Sequence, residues 1–67
     1  MFAVGQDIDV LLGTVWRRGT ITATKVDSNN EVTYTVRVRW DYPDNEYVEA
    51  KLDFTAEDIA NGAFRRI

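Results

Sequence analysis

Neither cysteine nor histidine occurs in this chain of 67 residues. Without cysteine there is no disulfide framework and no thiolate metal site, a composition compatible with a reducing compartment. Without histidine the usual zinc ligand and the usual general base near neutral pH are missing, as are the nucleophile schemes that depend on an imidazole. These absences argue against an enzyme and against a bound cofactor or metal. Long apolar runs are lacking as well: nothing approaches the roughly 18 to 20 residues needed to span a bilayer. Residues 1–12 have no basic start and carry Asp7 and Asp9, so they do not read as a leader. The expectation is a mature chain with no membrane contact, retained in a cytoplasm.

What is present is one small domain, residues 1–67. Domains of about 60 residues bury only roughly 60% of the surface their unfolded chains expose, so each large apolar side chain counts. The net charge of −3 is unevenly spread, with five basic and four acidic residues up to position 40 and three basic and seven acidic after it. An acidic second half favours a basic partner and disfavours a general phosphate-binding surface.

Period-two alternation dominates the chain. In residues 31–40, Val32, Tyr34, Val36, Val38 and Trp40 share one parity while Thr33, Thr35, Arg37 and Arg39 share the other. That is a strand with one buried and one wet face. Residues 15–26 have the same β-branched character, with Ile21 and Ala23 set against Thr20, Thr22 and Thr24. Asp27, Ser28, Asn29 and Asn30 join the two runs as a hairpin turn. Gly19 predicts a bulge or bend that would curl the sheet. Ile8, Val10 and Leu12 mark an earlier strand ending at Gly13, and Val48, Ala50, Leu52 and Phe54 mark a fourth. Between strands three and four lies the only proline, Pro43, followed by Asp44 and Asn45. Thr55 with Glu57 and Asp58 reads as a helix N-cap, Asn61 with Gly62 as a stop, and residues 63–67 as a short last strand with Phe64 inward. The fold class is therefore all-β: five antiparallel strands with a helical turn before the last.

Trp16, Gly19 and Ile21 in the second strand, with Trp40, Tyr42, Asp44 and Asn45 at the end of the third strand and the turn after it, resemble the SH3-like barrels of the Tudor, agenet and chromo-barrel group. The likeness covers nearly the whole chain. It implies a five-stranded SH3-like barrel with an aromatic cage at one mouth. Trp16, Trp40, Tyr42 and Tyr47 would supply rings for a methylated ammonium or guanidinium, with Asp44 adding Coulombic attraction. The chain departs from the group in its first loop, just Gly13 and Thr14, where another cage aromatic often stands. A competing reading gives Trp40 and Trp16 to the core, and leaves Tyr42, beside proline, as the better contact residue.

Binding of a protein or peptide through Trp16, Trp40, Tyr42, Asp44 and Tyr47 is the leading functional expectation. Nucleic-acid binding through Arg17, Arg18, Arg37 and Arg39 is the alternative; the same arginines also suit a solvated wall paired across strands with acids such as Glu49 and Asp53. A third reading is a small bacterial or phage accessory or inhibitory protein, acting through an edge strand or by self-association. Two acidic patterns carry less. Asp7 and Asp9 flank Ile8, and Asp27, Asn29 and Glu31 imitate the opening of a calcium loop. Val32 and Val38 then stand where that loop needs a glycine and a bidentate acid, so a plain hairpin turn is the reading taken.

Overall fold

Alternation in the sequence becomes register in the computed structural model, which describes residues 2–41 and 47–67 and, at 40, 41, 47 and 48, the backbone alone. Leu12 pairs with Val15 across the turn of Gly13 and Thr14, and Gly13 has a φ of 65°. A glycine with positive φ at the first central position is what a two-residue type II′ hairpin requires. From this turn β1 (Asp7–Leu12) and β2 (Val15–Val26) run antiparallel. At the next turn the Asp27 carboxylate accepts hydrogen bonds from the backbone N–H groups of Asn29 and Glu31, at 2.8 and 3.0 Å. Asn30 takes a φ of 62°, a conformation asparagine tolerates, and the chain returns as β3 (Val32–Asp41).

β4 (Tyr47–Thr55) pairs with β3 in unbroken register from Thr33↔Thr55 to Asp41↔Tyr47. Thr55 then caps α1 (Ala56–Ala60): its hydroxyl accepts from the Asp58 N–H at 3.2 Å, and the Asp58 carboxylate accepts from the Thr55 N–H at 2.9 Å. This reciprocal capping box satisfies N–H groups that a helix start leaves without partners. Gly62, at φ 90°, turns the chain out of the helix into β5 (Phe64–Arg66), which pairs with β1. The sheet order is β4-β3-β2-β1-β5.

The irregularity expected at Gly19 lies further along β2, where the register shifts between Ile21 and Ala23. Parity flips there. Ala23, expected on the same side as Ile21, pairs with Thr35 on the outer face, and Thr24 comes opposite Tyr34. The Thr22 hydroxyl donates to the Thr35 carbonyl at 3.3 Å. Ile21 turns its own backbone groups to the N-terminal segment, accepting from Gly5 N–H at 2.7 Å and donating to the Gln6 carbonyl at 3.0 Å. Gly19 matters for a different reason, because a Cβ there would stand 2.6 Å from Val36 Cγ1. Its missing side chain is what leaves room for the Val36 side chain beside the β2 backbone.

Ile8, Val10, Ile21, Val36, Val38, Phe54 and Phe64 form the core, with Phe2, Leu12, Tyr34, Leu52, Ile59 and Ala63 packed around them. Each fully buried aliphatic or aromatic side chain contributes about 1.5–3 kcal/mol by leaving water. The sheet curls strongly without a ladder between β4 and β5 among the described residues. Its edges meet through rings instead, Phe54 of β4 against Phe64 of β5 at 5.1 Å, edge to face. Phe2 and Tyr34 close on Phe64 in the same geometry, at 5.2 and 5.9 Å. Such edge-to-face pairs add about 0.5–1.5 kcal/mol beyond the area they bury.

Candidate functional site

β2 serves two neighbours in succession. Its pairing with β3 begins at Gly19↔Val38, so, among the described residues, 15–18 run with β1 alone while 39–41 run with β4. The sheet therefore forks at Gly19. On the β1 side of the fork, the outer face carries Trp16, Arg18, Asp9 and Arg65, fixed by the pairs Leu11↔Trp16, Asp9↔Arg18 and Asp9↔Arg65. Directly opposite residues in an antiparallel ladder hold their side chains on the same face, about 5 Å apart.

Asp9 sits on the middle strand of this group, its side chain 20% exposed, with one oxygen turned to each neighbour. Oδ1 accepts from Arg18 Nε at 3.1 Å and Oδ2 from Arg65 Nη2 at 3.5 Å. The Arg65 guanidinium also lies over the Trp16 ring, 4.2 Å from its centroid. Trp16 is half-buried and stands outside the core cluster. One indole face and one carboxylate thus converge on a single planar cation, an arrangement suited to stacking plus a charge-assisted hydrogen bond.

The other expected contact residues are placed as follows. Trp40 occupies the register of Val36 and Val38, opposite Val48, which is the core parity; Trp16 occupies the opposite parity, with Arg18 and Thr20. Tyr47 pairs with Asp41 in the register of Glu49 and Lys51. Tyr42 and Asp44 lie outside the described residues. The turn of Gly13 and Thr14, the end of β3 and the start of β4 lie at the same end along the strand direction, because β1 through β4 run antiparallel in succession. Trp16 is accordingly the one expected cage residue whose side-chain surroundings are in view.

The four arginines of the alternative site do not share a face. Arg17 pairs with the buried Val10 on the core parity, while Arg18, Arg37 and Arg39 take the outer one. Two of those three are committed to acids: Arg18 to Asp9, and Arg37 to Glu49, Nε to Oε1 at 3.0 Å. Asp53, the other acid expected to pair with arginine, accepts instead from the Thr35 hydroxyl at 2.7 Å. The outer wall mixes both signs in the manner of cross-strand charge pairing.

Sequence reasoning misses Arg65 and reads Asp9 only as half of a DxD. Parity alone would have set Asp9 opposite Arg18, but the return of β5 beside β1 is a long-range pairing with no local signal. Asp7, the other half, accepts from the Thr20 hydroxyl at 2.7 Å. No cavity opens among the described residues, no group of acids among them could hold a metal ion, and no described helix is long and apolar enough to cross a membrane. Compared with known proteins, the chain matches no family model, no curated protein and no solved structure.

Proposed function

We propose that this chain is a non-catalytic binding module, a small barrel of the SH3-like and Tudor-like kind, that recognises a basic protein or peptide at the end of the sheet carrying Trp16. The observation that carries the reading is the indole of Trp16, excluded from the core and stacked against a guanidinium at 4.2 Å. A ring placed to hold one arginine has the electrostatics to hold a partner's arginine, lysine or methylated equivalent. Tyr42, Asp44 and Tyr47 extend the proposed surface by sequence position, and Trp40 shares that end of the sheet on the opposite parity. An order of β4-β3-β2-β1-β5 with a helical turn before β5 supports the barrel assignment, since a meander whose last strand returns beside its first curls both edges toward one another.

Amide-shift titration with arginine, lysine, methyl-arginine and methyl-lysine peptides tests the reading. Shifts confined to Trp16, its neighbours on β1 and residues 40–47 are expected. Peptides that leave Trp16 and that region unmoved remove it.

A second reading, contact through an edge strand, is favoured by one specific feature. β4 runs nine residues and pairs only with β3 among the described residues, leaving a full edge of backbone donors and acceptors. Its outer face reads Glu49, Lys51, Asp53. Two copies pairing antiparallel about Ala50 would set Glu49 opposite Lys51, and about Leu52 would set Lys51 opposite Asp53, so either register brings unlike charges together.

A further inference from the structure

Asp9 and Trp16 meet the chemical requirement of a guanidinium site, and that site is occupied. Its occupant belongs to the same chain. Resting on the binding function proposed above, we infer that Trp16 and Asp9 form an arginine-binding site filled in cis by Arg65, so that an arginine of a basic partner binds by displacing Arg65.

The two halves of the arrangement are held unequally. Trp16 and Asp9 belong to the β1–β2 ladder of six residue pairs, and Asp9 is only 20% exposed. Arg65 belongs to a three-residue strand, its side chain is 56% exposed, and its bond to Asp9 is the longer of the two at 3.5 Å, against 3.1 Å for Arg18. β5 is anchored by Phe64, which turns to the opposite face and packs in the core. Swinging the Arg65 side chain away therefore exposes one indole face and one carboxylate oxygen while leaving the strand in place.

An incoming guanidinium recovers both contacts at once, because it is flat enough to lie on the ring while an edge N–H reaches Asp9 Oδ2. A lysine ammonium, compact and without a plane, matches the carboxylate but stacks less well. Arg18 remains on Oδ1, so Asp9 is never left without a counter-ion during the exchange. The apparent affinity for a partner arginine then equals the intrinsic affinity reduced by the fraction of molecules in which Arg65 has moved aside. Arg65 sets a threshold: scattered arginines are refused, and a segment that gains further contacts at the Trp16 end is accepted.

The test uses the full chain, wild type and Arg65→Gln, titrated with the capped tripeptides acetyl-Gly-Arg-Gly-amide and acetyl-Gly-Lys-Gly-amide, with the Trp16 indole N–H and the Asp9 amide followed by NMR. Arg65→Gln is expected to bind the arginine peptide at least about fivefold more tightly than wild type, with the Trp16 indole shifting, and to bind the lysine peptide less well. Adding Asp9→Asn to Arg65→Gln should abolish the gain. Arg65→Lys, which keeps the charge but not the plane, gives the same comparison if Arg65→Gln does not fold, and should also show a gain. Equal affinity in wild type and variant, or a gain that leaves the Trp16 indole unmoved, overturns the inference. If wild type still binds basic peptides at Trp16 while Arg65 variants bind no more tightly, cis occupancy fails and the binding function stands. If neither protein binds any peptide, both fail.

Discussion

Gly19 shows how one missing side chain leaves room for a core residue of the neighbouring strand. A Cβ at this position would stand 2.6 Å from Val36 Cγ1 and 3.2 Å from the Arg37 carbonyl oxygen, and Val36 is fully buried with nowhere to retreat. Gly19→Ala is expected to destabilise the protein by about 1–3 kcal/mol, the usual range for an overpacked core. Urea unfolding should show a lower midpoint with an unchanged slope. The ion pairs at this scale carry much less. Arg18 is 60% exposed, so its bond to Asp9 is screened by water, and pairs of this kind contribute about 0–1 kcal/mol. The Asp9, Arg65 and Trp16 constellation is thus a poor stabiliser, and Trp16→Leu should alter peptide binding far more than it alters the unfolding midpoint.

The elements stop and start where short-range chemistry tells them to. α1 is too short to persist alone, since nucleating a helix costs more than five residues return, so its capping box and the packing of Ile59 on the core hold it in place. Thr55→Ala removes the hydroxyl that accepts from Asp58 and should cost about 1 kcal/mol. A matching drop in thermal midpoint, with peptide binding unchanged, is the expected result. β4 offers a sharper test of the edge reading. Lys51→Glu would place acid against acid in both self-pairing registers, yet it replaces the like-charged Lys51 opposite Arg37 with an unlike pair inside the monomer. Any dimer seen by sedimentation should therefore vanish in the variant without loss of monomer stability. A dimer that survives the substitution excludes β4 self-pairing.

At the scale of the molecule, closure rests on aromatic rings in place of backbone bonds. Phe64 touches Phe54, Phe2 and Tyr34, so a single side chain joins the last strand, the fourth strand, the third strand and the N-terminal segment. Phe64→Ala is expected to cost about 3–5 kcal/mol. A domain of this length has a total stability of about 3–10 kcal/mol by the usual per-residue range. The variant should lose much of its amide dispersion and near-ultraviolet circular dichroism at room temperature, while Ile67→Ala, at an exposed position, should leave both intact.

Periodicity in the sequence determined the five strands, the capped turn before the last of them, the hairpin at Asp27 to Asn30 and the inward set of Ile8, Val10, Ile21, Val36, Val38, Phe54 and Phe64. Each of these follows from local rules: parity within a strand, turn residues able to take positive φ, and a capping pair three residues apart. Tertiary structure alone decided the parity flip after Ile21, because the bulge depends on which neighbour takes the Ile21 backbone, and that neighbour is the distant N-terminal segment. It alone also carried Arg65 to Asp9 across 56 residues of sequence and laid it over Trp16, whereas the separation of Arg17 from Arg18 is parity within one strand. No local pattern encodes such a meeting, since it exists only once the sheet has curled and β5 has come to rest beside β1.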